Sequence, residues 1–188
     1  NFYALSSYYL GSFFSPLVYF FNAQSMPDAV YLITLLKFGA IGLSTYISLH
    51  GMFSKIPRSL VLTLSTSFAL MSFAISQIEI KTWLDVFILA PLILYGFKKL
   101  IYNEGEILYY ISLTSLFIQN YYFGFMMSIF LILWYLTQLS WDIKGIGKRF
   151  FHFVIVSLLS VITSLVMLYP TFLDLRTHGE SFSKVDSI

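Results

Sequence analysis

A chain of 188 residues that is 58% hydrophobic and only 11% charged, with a mean hydropathy of +0.80, cannot hide its apolar surface inside a soluble fold. An average soluble domain is about 45–50% apolar and roughly 25% charged. The formal net charge of +2 is too small to point to nucleic acid, and the lack of cysteine excludes disulfides and thiolate metal sites.

The composition therefore predicts an all-α, polytopic membrane helix bundle. The chain opens at Asn1 with no initiator Met, and its first residues lack the basic flank and cleavage site of a signal peptide. It reads as a piece of a longer protein. A spanning helix needs about 17–25 mostly apolar residues. That template predicts six spans, at 28–49, 60–77, 83–100, 107–121, 124–140 and 150–170. The fourth and fifth are short and meet at Asn120-Tyr121-Tyr122-Phe123-Gly124, as a hairpin or as one helix interrupted at Gly124. Three parts follow: an external segment at 1–27, the bundle at 28–170 and an external tail at 171–188.

Charge placement orients the bundle. Lys55, Arg58, Lys98, Lys99, Lys144, Lys148 and Arg149 all fall in alternate breaks, at 50–58, 98–106 and 141–149. The other side carries only Lys81, Arg176 and Lys184. Cytoplasmic loops are enriched in Lys and Arg, so the basic breaks are predicted to face the cytoplasm. The stretch 8–21 must then start and end outside. With Gly11 and Pro16 in it, it is too short to span and reads as an interfacial or re-entrant helix on the outer face. The other reading, a true span with a partner upstream, inverts the topology.

Lys37 lies in the apolar run 31–38, roughly 13 Å below Asp28 at 1.5 Å per residue. A charge near mid-membrane costs at least about 2.5–3.5 kcal/mol, so Lys37 should face the protein interior or a wet cavity. It would meet either an anionic ligand, such as a lipid phosphate, or an internal ion-pair partner. Gly39 and Gly42 follow it and read as close helix packing.

Thr82-Trp83-Leu84-Asp85 has the spacing of a capping box. In that reading Asp85 reaches back to the Thr82 N–H. In the functional reading it is an active-site carboxylate or ligand anchor at the outer mouth. Pro91 should kink this helix. Asn120, Tyr121 and Tyr122 could hydrogen-bond a sugar or headgroup, or form an ordinary interfacial aromatic belt. His50, His152 and His178 are scattered, so no His-based metal site is expected. No Gly-rich phosphate loop, zinc-ligand helix or nucleophile elbow is present. Asp174, Arg176, His178 and Glu180 follow Pro170 and read as a solvated loop.

A set of short stretches carries a family resemblance. They are Asn1-Phe2-Tyr3-Ala4-Leu5-Ser6 through Ser15-Pro16, Leu35-Leu36-Lys37-Phe38-Gly39-Ala40-Ile41-Gly42, Trp83-Leu84-Asp85 with Ala90-Pro91-Leu92, Asn120-Tyr121-Tyr122-Phe123-Gly124, and Tyr169-Pro170-Thr171. In this order they resemble the YfhO family of bacterial membrane proteins, which belongs with the C-type, polyprenyl-dependent glycosyltransferases. The resemblance implies a bacterial plasma-membrane enzyme taking a sugar from an undecaprenyl-phosphate carrier outside the membrane. The acceptor would be an extracytoplasmic cell-envelope polymer such as a teichoic acid. Such enzymes place a catalytic Asp in the first external loop, but no Asp precedes Asp28 here. The resemblance puts that acid upstream of Asn1 and leaves Lys37, Asp85, Asn120, Tyr121 and Tyr122 as substrate-binding candidates, with Asp85 a contributor to catalysis. The alternative function is a transporter or flippase with a midplane site at Lys37 and the 120–124 break. Paired broken helices in two related halves, which that class shows, are not evident. A non-catalytic scaffold is a third reading.

Overall fold

The computed structural model describes residues 12–139 and 146–185. Among them there is helix and no strand. Short 3₁₀ helices at Ser15–Phe20 and Ala23–Ser25 lead into α1 (Met26–Met52). Then come α2 (Arg58–Ala69), α3 (Ser72–Ser76), α4 (Lys81–Ile101), α5 (Ile107–Gln119), α6 (Tyr121–Leu139) and α7 (Ile146–Val185). A helix lies at each of the six predicted spans. The stretches Ala23–Met52, Arg58–Ser76 and Gly147–Leu173 are long and apolar enough to cross a membrane. The stretches Ile107–Gln119 and Tyr121–Thr137 are apolar but shorter.

The packing is that of a membrane bundle. Large apolar side chains such as Leu43, Leu62, Phe130 and Val166 stay exposed on the outside, where lipid can solvate them. On α1 the inward stripe is largely polar: Thr34, Lys37, Ser44, Thr45 and Ser48 are buried beside Ile33 and Ile41. Lipid tails are as apolar as leucine, so small and polar residues turn inward to pack and hydrogen-bond. The α5–α7 contact follows the same rule. Tyr109 pairs with Ser157 and Tyr110 with Thr163, each at 2.8 Å between hydroxyls, and Ser164 donates to the Thr114 carbonyl at 3.3 Å.

Helices α1 and α4 run parallel. Lys37 meets Asp85 near one end, and the Lys98 ammonium donates to the Met52 carbonyl at the other. Helix α4 meets α5 at Gly96, where an added Cβ would stand 2.6 Å from the Tyr109 backbone nitrogen. Only glycine permits that approach.

The structure corrects several sequence expectations. The predicted second span is broken at Met71, whose ψ of 145° is extended. The hydroxyls of Ser65 and Thr66 both donate back to the Leu62 carbonyl in the turn before the break, a pattern that weakens and bends helices. Gly39 makes no close packing, since a Cβ there meets nothing within 4 Å. Gly42 would bring a Cβ only to 3.7 Å from Ala69, an ordinary contact. Of the two alternatives for the fourth and fifth spans, the structure has the hairpin, turning at Asn120, and not one helix interrupted at Gly124. Helix α7 continues through Pro170 to Val185, where a loop was expected. The expected helix at 8–21 is a 3₁₀ turn at Ser15–Phe20; its residues 8–11 lie outside the described residues.

Candidate functional site

The site is built where α1, α4 and the 3₁₀ segment Ser15–Phe20 meet. Helical side chains tilt toward the N-terminus of their helix. The Lys37 stem therefore climbs from mid-helix toward the end where α4 begins, and Asp85 waits one turn inside α4. The Lys37 Nζ lies 2.8 Å from Asp85 Oδ2. Exposure is 0% for the lysine side chain and 2% for the aspartate. The Phe14 ring centroid lies 5.8 Å from the same ammonium, and Ser12 sits beside the Asp85 carboxyl.

The capping-box reading of Asp85 does not hold. Helix α4 starts at Lys81 with Ile80 at its N-cap and no side-chain cap bond, which leaves Thr82 inside the first turn. Energetics decide it: a cap is worth about 1 kcal/mol, whereas an unpaired intramembrane ammonium costs several times that. The carboxylate goes to the lysine. The ammonium is sealed within the protein by this pairing rather than opening on a cavity.

The second part of the site is the α5–α6 hairpin. Phe97 packs against both Tyr109, near the start of α5, and Trp134, near the end of α6, so the two helices fold back on each other. A single extended residue, Asn120, with φ −152° and ψ 93°, makes the turn. Its Oδ1 accepts a hydrogen bond from the Phe123 N–H at 3.3 Å, capping α6 at its third position. Gly124 then lies inside α6, where it makes room for the Phe117 ring. Phe123 packs edge-on against Trp83 of α4 at 5.3 Å, which ties the hairpin tip to the N-terminal end of α4.

Several polar atoms at this end are buried without a hydrogen-bond partner: Asp85 Oδ1, Trp83 Nε1, Asn120 Nδ2, and both amide atoms of Gln119. Each such group costs about 1–3 kcal/mol. Most buried polar groups in folded proteins are paired, so this concentration among the described residues is the feature of this end that packing alone leaves unsatisfied.

Lys37 and Asp85 are thus brought together, and Asn120 forms the hairpin tip. Tyr121 lines a separate cavity of about 360 Å³ with Phe125 and residues of α7. Tyr122 is 55% exposed. Among the described residues no contact joins either tyrosine to the ion pair. Sequence reasoning missed Gln119, Ser12 and Phe14. Gln119 had a legible signal, an amide closing an otherwise apolar run. Among the described residues, no group of three or more His, Asp or Glu side chains is placed to hold a metal ion.

Fold and site together define a polytopic α-helical membrane protein with a buried ion pair near one end of the bundle. The chain belongs to the YfhO family, described as bacterial membrane protein YfhO, which it matches over residues 1–188. No curated protein and no solved structure matches it.

Proposed function

We propose that this chain is the membrane part of a glycosyltransferase that moves a sugar from an undecaprenyl-phosphate carrier to an extracytoplasmic cell-envelope polymer such as a teichoic acid. The observation that carries the reading is the buried Lys37–Asp85 pair, 2.8 Å apart, at the end of the bundle where unpartnered amides collect. Transfer from a lipid phosphate needs positive charge near the departing phosphate and polar groups that orient the sugar. Lys37 supplies the charge when donor binding opens the sealed pair, and Asp85 fixes the lysine's position until then. Gln119 and Asn120 carry donors and acceptors suited to sugar hydroxyls, and Tyr121 and Tyr122 border the approach. In this reading the basic loops face the cytoplasm and the hairpin faces outward, in the bacterial plasma membrane.

The test uses the full-length protein in proteoliposomes with a panel of undecaprenyl-phosphate hexoses and acceptor polymer. Release of undecaprenyl phosphate, with sugar appearing on the acceptor, is expected for at least one donor and should fall with Lys37→Met. Movement of intact lipid-linked sugar across the bilayer without release would favour the transporter reading and contradict this one.

A further inference from the structure

A second site lies toward the opposite end of the bundle. Helices α1, α2, α4 and α6 line a partly open cavity of about 690 Å³ that reaches from Phe123 down to Met52. Its lining is apolar except for Thr45 and Ser48. Those two hydroxyls are buried and lack hydrogen-bond partners. That is unusual, because serine and threonine in helices commonly bond back to a carbonyl one turn earlier, as Ser44 does to Ile41.

The rim of this cavity is basic. Met52 lines it, and the Met52 carbonyl accepts from Lys98, whose ammonium also lies 5.6 Å from the Phe53 ring. Lys55 and Arg58 are exposed on the adjoining turn 53–58, which contains no acid. Among the described residues the acids of this end, Glu104 and Glu106, line a different cavity with Lys99 and His152.

We propose that this cavity binds an anionic phospholipid, with a hydrocarbon chain in the apolar part and the phosphate against Lys98, Lys55 and Arg58. A further transmembrane helix does not fit inside it. A helix with its side chains is about 10–12 Å across, so two turns already exceed the cavity. The volume lies within the roughly 300–1,000 Å³ of small-ligand pockets. Charge selects the headgroup, since basic pockets between membrane helices attract anionic lipids. Depth explains the hydroxyls. Ser48 and Thr45 lie four and seven residues before Met52, roughly 6 and 10 Å below the rim at 1.5 Å per residue. That is the level of the glycerol ester carbonyls, which accept from them once the two hydroxyls rotate toward the lipid. The site is separate from the outer ion pair and does not depend on the transferase reading.

The test is native mass spectrometry of the full-length protein with phosphatidylglycerol or phosphatidylcholine of identical chains. Phosphatidylglycerol should be retained more strongly. Lys55→Gln with Arg58→Gln should weaken it about 25-fold, at about fivefold per charge, and leave phosphatidylcholine unchanged. Filling the cavity with Ala90→Phe should weaken both lipids. Met126→Trp, at a half-exposed lining position, carries the same test should the first variant fail to fold. Ether-linked phosphatidylglycerol, which has no ester carbonyls, should bind the wild type more weakly than the ester lipid. The two should bind alike to Thr45→Val/Ser48→Ala. Equal retention of the two headgroups would overturn the proposal. So would charge dependence without any effect of cavity filling, since that is adsorption to the surface.

Discussion

Lys37 on α1 and Asp85 on α4 form an ion pair 2.8 Å long, with both side chains sealed from the surroundings. Forty-eight positions separate them in the chain, and the parallel course of the two helices brings them together. Breaking such a pair from one side leaves a lone buried charge, which costs about 3–5 kcal/mol. Lys37→Met alone should therefore lower stability by that order, and Asp85→Leu likewise. Denaturation of the purified protein in mixed micelles measures it. Single variants as stable as wild type would mean that the pair is wetter than its burial indicates.

Asn120 has a structural duty and an unfilled one. Its Oδ1 caps α6, and its Nδ2 has no partner. Asn120→Ala should cost about 0.5–2 kcal/mol. Asn120→Asp keeps a capping oxygen and removes the donor. The residue is buried, so a new carboxylate there also costs stability, and transfer per folded protein is the readout, which should fall if the amide serves a ligand. Equal transfer by Asn120→Asp and wild type would confine this residue to capping.

Gly96→Ala tests the α4–α5 crossing. The new Cβ would stand 2.6 Å from the Tyr109 backbone nitrogen and 2.7 Å from its Cα. Backbone cannot step aside as a side chain can, so the loss should reach the upper part of the roughly 1–3 kcal/mol range of overpacking. Gly124→Ala meets the Phe117 ring instead, and that ring can rotate. The ratio of the two losses, read by denaturation, is the check: Gly96→Ala should be the worse.

Sidedness follows from charge. The sequence contains no cysteine, so single cysteines report without background. Position 79 should label from outside the cell and position 55 should not. Both side chains are exposed in the structure. The reverse pattern would invert the whole arrangement.

Apolar length placed a helix at each of the six predicted stretches, because lipid forces each backbone polar group to be satisfied within its own helix, although only three of the described stretches are long and apolar enough to cross a membrane. Lys37 was legible for the same reason: a charge in an apolar run has to turn inward. Its partner was not. Thr82 and Asp85 satisfied a local capping pattern, and local spacing cannot reveal that α1 passes within reach of the same carboxylate. The break across Asn120–Gly124 was legible, but not whether it made a hairpin or one helix interrupted at Gly124, because the glycine also looked like a breaker. Asn120 can both extend its backbone and cap the next helix, and the glycine is needed for ring packing instead. The orphan amide of Gln119 and the hydroxyls of Thr45 and Ser48 became visible only with neighbours in place, since an unpaired atom is a property of the packing.

The central claim is that the Lys37–Asp85 pair serves transfer rather than assembly. Replacing the whole pair, Lys37→Met with Asp85→Leu, separates these roles. Swapping a buried ion pair for apolar residues of similar size is often neutral or stabilising, so a structural role predicts a double variant that is folded and fully active. Sugar transfer from undecaprenyl-phosphate hexose by the full-length double variant, at wild-type protein level in the membrane, is the measurement. The account predicts normal level and stability with transfer reduced at least a hundredfold, on the order of 3 kcal/mol of lost transition-state stabilisation. Transfer at the wild-type rate by a stable double variant would contradict it.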